Sequence, residues 1–197
     1  IGNIIKDVKF ERFYLDRIFY YSLSSLRNLF ELHGMYIADA EKIEPHGGSI
    51  RVTARNKGNG KKVSKRTLKL FKEERATLSS AKLKEFKKKV ERHVFAFRVK
   101  LEEYKKRGLS VAGYGAPARV ATITNFGAIG PDLIDFIVDD SPLKQNRFSP
   151  GMHIPIVPKG YLEQHRPDVL VVFAYEYFED IKKKTSGEYR YLLAIPP

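Results

Sequence analysis

The 197-residue sequence contains no cysteine. That excludes disulfides and any thiolate zinc site within these residues, and the five histidines show no HxxxH or HExxH spacing that would build another metal cage. No metal is expected. Long apolar runs are missing too: stretches such as VLVVFAY, Val169 to Tyr175, have strand length, far below the roughly 20 residues of a membrane helix. The opening IGNIIKDVKF starts at Ile1 rather than Met and lacks the charged, apolar and cleavage regions of a secretion signal. A cytoplasmic, metal-free piece of a longer protein is expected, with no membrane partner.

A hydrophobic content of 43% suffices for one good core or two small ones. The net charge of +13 is local: residues 57–107 hold 19 Lys and Arg against 6 Asp and Glu, and the remainder holds 17 of each. In this segment Leu83, Phe86, Val90, Val94, Phe97, Leu101 and Tyr104 recur at intervals of three and four, which predicts a long amphipathic helix after Ser79 and Ser80. The residues before it, opening with KGNGKK, read as a flexible connector. A nucleic-acid patch would place arginines and aromatics on the exposed face rather than lysines around a core stripe. A bridging helix with a solvated basic face is the simpler reading, nucleic acid is not expected as a partner, and the basic surface can attract a phosphorylated small substrate.

Three regions follow. In residues 1–56, SLSSLRNLFELHG reads as a helix capped by Ser22 and ended by Gly34, followed by the strands MYIADAEKIEP and GSIRVTARN. Residues 57–107 are the basic connector and helix. Residues 108–197 alternate strand and helix, with near-continuous apolar strands, the pattern of a parallel sheet covered on both faces. The fold class is therefore α/β, closing with a Rossmann-like domain.

Within that last region, Gly113-Tyr114-Gly115-Ala116-Pro117-Ala118 fits a G-x-G-x-x-A turn between a strand and a helix. Pro117 suits the first turn of the helix, and Asp139 follows the second strand at about the offset of a ribose-binding acid. A tight structural turn and a dinucleotide site both satisfy this pattern. With Arg119 close by, the helix N-terminus also suits a phosphate or pyrophosphate of another origin. No paired Tyr/Lys or His beside the turn supplies hydride-transfer chemistry.

The stretches FYYSLSSLRNLFELHGM, EPHGGSIRV and GYGAPARVATITNF…IGPDLIDFIVDDSPLKQNRFSPGMHIPIV together resemble the C-terminal half of the S-adenosylmethionine-dependent sugar C-methyltransferases, which act on nucleotide-linked 4-keto-6-deoxy sugars. The resemblance implies that residues 1–56 are the tail of a cofactor domain whose S-adenosylmethionine loop lies before Ile1. It also implies that residues 108–197 help to bind the nucleotide-sugar, and that this chain alone does not methylate. The family's Tyr-x-Glu-His motif, whose histidine is taken as the base, aligns with Tyr14-Leu15-Asp16-Arg17. An arginine, with a pKa above about 12, cannot accept a proton at neutral pH. Asp16 or Tyr14 takes over, or the reaction differs, or catalysis is lost; Arg17 can still hold an enolate or a phosphate. His46, in PHGG, is either a turn residue or a replacement base. Lys144, Arg147 and His153 form a loop that either meets the diphosphate or is simply solvated. The substrate-binding set implied is Gly113, Tyr114, Gly115, Ala116, Pro117, Arg119, Asp139, Lys144, Arg147 and His153. A non-catalytic nucleotide-sugar-binding module and an NAD(P)-binding oxidoreductase domain are the alternatives.

Overall fold

A computed structural model describes residues 1–44, 48–58, 62–186 and 188–194. The chain divides into two compact units, the first of Ile1–Phe10 and Asp16–Lys89, the second of Glu11–Leu15 and Val90–Pro197. Each has its own sheet and its own core.

The first unit contains helices α1 (Gly2–Lys6) and α2 (Leu23–Leu32), strands β1 (Met35–Ile43) and β2 (Ser49–Asn56), helix α3 (Lys65–Thr77) and the start of helix α4 (Ser80–Lys106). As the sequence predicts, Ser22 caps α2: its hydroxyl accepts the Ser25 N–H at 2.9 Å, and Ser25 returns a bond to the Ser22 backbone. Gly34 follows the helix with φ +69. Strands β1 and β2 pair antiparallel. Leu23, Ile37 and Ala40 are buried between α2 and the sheet, with Leu26, Phe30, Val52, Leu70 and Phe71 packed against them.

Leu70 and Phe71 belong to α3, which forms where the composition predicts a flexible connector. Three local features make it a helix. Ser64 accepts the Thr67 N–H at 3.2 Å as its N-cap. Two apolar side chains anchor one face on the core. Glu74 reaches the start of α2 and accepts the N–H groups of Leu23 and Ser24, the latter at 2.8 Å, so two free donors of one helix are satisfied by the next.

Helix α4 begins as expected, with Ser79 Oγ accepting the Lys82 N–H at 3.3 Å. Of its apolar stripe Val90, Val94, Phe97, Leu101 and Tyr104 are buried, all in the part belonging to the second unit, whereas Leu83 is exposed.

The second unit continues with β3 (Val111–Tyr114), α5 (Arg119–Gly127), β4 (Phe136–Val138), β5 (Arg147–Phe148), β6 (Pro155–Val157), α6 (Lys159–Gln164), β7 (Val169–Val172), α7 (Phe178–Lys184) and β8 (Arg190–Leu193). The strands form one six-stranded sheet of order β5-β6-β4-β3-β7-β8. Every pairing is parallel except the edge pair β5·β6. The α/β expectation is met, with a short antiparallel edge strand added where a loop was expected. All four residues of β3 and of β7 are buried, which accounts for their continuous apolar character. Gly127 of α5 lets that helix approach α4: a Cβ there would stand 2.9 Å from Val94 Cγ1. Arg98 of α4 donates to the carbonyls of Gly127, at 3.0 Å, and Ala128, satisfying the end of α5. Among the described residues no helix is long and apolar enough to cross a membrane.

Candidate ligand site at the carboxyl edge of the sheet

In a mostly parallel sheet, the loops that leave the carboxyl ends of the strands gather on one edge. Here the central loop is the glycine turn after β3. Its two glycines do different work. A Cβ on Gly113 would sit 2.9 Å from both Ile137 Cγ1 and Phe173 Cε2, so that position is small to let β3 pack within the unit. Gly115 has φ +82, and a Cβ there would meet Ala174 Cβ at 2.9 Å, so the turn itself requires glycine. Helix α5 begins at Arg119, two residues later than a Pro117 in its first turn would give; the Pro117 carbonyl accepts the Val120 N–H at 2.9 Å and leads the chain into it.

The turn's amides are occupied from within. Gly115 N–H donates to the Val138 carbonyl at 2.7 Å, and Ala116 N–H donates to Asp139 Oδ2 at 2.6 Å. Asp139 is buried, accepts the Ser141 N–H on Oδ1 at 2.9 Å and faces Lys144 at 3.4 Å. Its carboxylate therefore braces the two loops against each other. Its neighbour Asp140 accepts from the Tyr114 hydroxyl at 3.2 Å and from Lys184 at 3.1 Å. Burial, with the Asp140 charge and hydrogen bond added, pushes the Tyr114 phenol up to about 12.

Beside the turn lies a second cluster. Arg119 Nη1 donates to both carboxylate oxygens of Glu176 at 2.8 Å, and its guanidinium lies over the Tyr175 ring, 4.8 Å from the centroid. Arg12 approaches the same carboxylate at 3.6 Å. Tyr175 donates to Glu11 Oε1 at 2.7 Å, and Glu11 is wholly buried. Burial and that hydrogen bond push the Tyr175 phenol up to about 12. For Arg119, burial opposes the charge, but the hydrogen bond to Glu176 and the charges of Tyr175, Glu176 and Glu11 outweigh it and hold its pKa above the ordinary arginine value.

The residues expected from the sequence thus divide. Gly113, Tyr114, Gly115, Ala116, Pro117, Arg119, Asp139 and Lys144 come together at this edge. Arg147 is exposed on β5, three strands from β3 in the sheet order. His153 is exposed, has φ 55, and precedes β6, at the opposite end of the strands from the turn. Tyr14 lies in the Glu11–Leu15 segment of the second unit, where the Phe13 carbonyl accepts Thr122 Oγ1 at 2.8 Å. Asp16 and Arg17 are exposed and fall in the first unit, and His46 lies outside the described residues. Sequence reasoning missed Glu11, Arg12, Tyr175 and Glu176. The last two follow β7 at its carboxyl end, which was the available signal; Glu11 and Arg12 carried none beyond preceding Tyr14. A groove of about 470 Å³ also opens at the amino end of the sheet, beside Ser110, Asp135 and the stacked pair Tyr161 and His165, but none of the expected residues lines it.

These features define an α/β protein whose chemistry-bearing side chains stand on the carboxyl-edge loops of a mostly parallel sheet. The family model described as the C-methyltransferase C-terminal domain matches residues 44–194, and the chain belongs to that family. It is also 30% identical over 200 residues to the C-methyltransferase NovU of Streptomyces niveus, an alignment covering 98% of this chain and 48% of that protein. The chain therefore spans about half the length of the curated relative it matches.

Proposed function

We propose that this chain is the C-terminal half of an S-adenosylmethionine-dependent C-methyltransferase acting on a nucleotide-linked keto-deoxy sugar. Residues 1–56 complete its cofactor domain, residues 57–107 connect, and residues 108–197 form a Rossmann-like domain that binds the nucleotide diphosphate. The family membership supports the reaction class, and one observation carries the ligand. With the turn amides of Gly115 and Ala116 engaged internally, the half-buried Arg119 beside them is the group best suited to a phosphate.

S-adenosylmethionine supplies an electrophilic methyl group when bound. The chain spans about half the length of the curated relative it matches, so the cofactor is assigned mainly to the other half of such a protein, and this chain alone is expected to be inactive. What this chain offers the reaction is in the Tyr14 to Arg17 segment. Removing a proton next to a ketone needs a base, and the resulting enolate oxygen needs donors. Asp16 or Tyr14 takes the place of the base, and the Arg17 guanidinium is a donor for the enolate. A non-catalytic nucleotide-sugar-binding role is the second reading, favoured by arginine standing where the family's base is expected.

Calorimetric titration with thymidine diphosphate (TDP), NAD and NADP tests the ligand. TDP binding that weakens in Arg119→Ala, with no response to either dinucleotide, is expected. Binding of NAD or NADP without TDP would transfer the domain to the oxidoreductases.

A further inference from the structure

We propose that Arg12 and Arg119 form a two-arginine clamp for the diphosphate of the nucleotide ligand, with Glu176 occupying the clamp when the ligand is absent. The proposal rests on the nucleotide-diphosphate reading above and adds to it a second cation and a displaceable anion.

The geometry is that of two cations fixed around one exchangeable anion. Glu176 is bound by Arg119 at 2.8 Å and approached by Arg12 at 3.6 Å. The arginine side chains are 19% and 18% exposed, the Glu176 side chain 38%, so the cations lie inside and the carboxylate outside. Each arginine has a second neighbour besides Glu176, and the buried Arg12 Nε makes no hydrogen bond among the described residues. Arg119 lies over the Tyr175 ring, Tyr175 is tied to the buried Glu11, and Arg12 Nε stands 4.0 Å from the same Glu11 oxygen. Glu176 sits in a single 3-10 turn, Tyr175–Tyr177, after β7, where its side chain can rotate outward without breaking a strand or a long helix.

A carboxylate and a phosphate accept the same fork of guanidinium donors. Charge selects between them: release of the Glu176 carboxylate removes one negative charge from beside the two arginines. A diphosphate brings more negative charge and more acceptor oxygens than the carboxylate it replaces.

The test is calorimetric titration of TDP and of inorganic pyrophosphate into the full 197-residue chain, into Glu176→Gln and into Arg12→Gln. Circular-dichroism melts establish that each variant is folded. Removing the competing carboxylate is expected to tighten both ligands by about tenfold, the scale of one charge-assisted hydrogen-bonded contact, and Arg12→Gln to weaken both. Glu176→Gln is the more exposed substitution and decides the matter alone if Arg12→Gln does not fold. If wild type binds TDP but Glu176→Gln binds it equally or more weakly, the clamp is wrong and the nucleotide reading survives. If pyrophosphate binds, tightens in Glu176→Gln and is matched but not exceeded by TDP, the clamp stands and the nucleotide reading fails. If neither ligand binds either chain, both are overturned.

Discussion

A Cβ at Gly115 would stand 2.9 Å from Ala174 Cβ, an atom fixed to its own backbone, and the residue has φ +82. Both penalties fall on one alanine substitution. Strain at such a φ is of order 1–3 kcal/mol, and the clash adds to it because neither partner can rotate away. Gly115→Ala is expected to lower stability in urea unfolding by about 2 kcal/mol or more. The control is Gly34→Asn: Gly34 has φ +69 but nothing within 4 Å of the added atom, and asparagine tolerates this region. Equal losses at the two positions would show that the contact with Ala174 contributes nothing. The glycine turn was legible in the sequence because its residue types carry their own conformational reason. The partners of Arg119 were not, since no local pattern announces that residues 11, 12, 175 and 176 meet.

At the scale of elements, α3 shows why a helix can hide. Its lysine-rich, glycine-preceded sequence reads as connector, and what stabilises it comes from elsewhere in the first unit: the core under Leu70 and Phe71, and an acidic clamp at its start. Asp39 of β1 accepts from Ser64 Oγ at 2.6 Å and from Arg66 Nε at 2.7 Å, with a further bond from Arg66 Nη2. These bonds, Arg66 first and Ser64 second, depress the Asp39 pKa well below the usual carboxylate range. A depressed carboxylate contributes stability that is fully present above its ordinary value of 3.8 and is lost as pH falls toward the folded value. Melting temperatures measured from about pH 5 down to about pH 2 are therefore expected to fall more steeply for wild type than for Asp39→Asn, which starts lower. Parallel curves would mean that the clamp does not hold the helix. By contrast α2, α4 and the strand and helix alternation of the second unit were legible, because their caps and apolar periods lie within the elements themselves.

For the molecule as a whole, the charge of +13 is the property that invites the broadest functional claim, because a strongly basic chain is a candidate polyanion binder. Its excess lies in residues 57–107, which the structure folds largely into α3 and α4, and there some of the 19 cations have acidic neighbours. Lys82 and Lys89 both reach Glu85 at 2.7 Å, Arg98 reaches Glu102 at 2.8 Å, and Lys100 reaches Glu103 at 3.1 Å. Exposed pairs of this kind add little stability, but they interrupt the stripe of free cations that phosphate tracking needs. A protein making 6–10 phosphate contacts loses about 10³–10⁵ in affinity between 50 and 200 mM salt. This chain is expected to bind a 20-base-pair DNA weakly and to lose less than about tenfold over that range, as measured by fluorescence anisotropy. A steep slope would move the basic helix from a solvated connector to a nucleic-acid surface and leave the carboxyl-edge site as a separate function. A shallow one leaves the arginines of that edge as the cations matched to an anionic ligand, a distinction of placement rather than of charge count: Arg12 and Arg119 meet Glu176 beside the glycine turn with side chains 18% and 19% exposed, whereas Lys82 and Lys89 meet Glu85 on α4 with side chains 56% and 45% exposed.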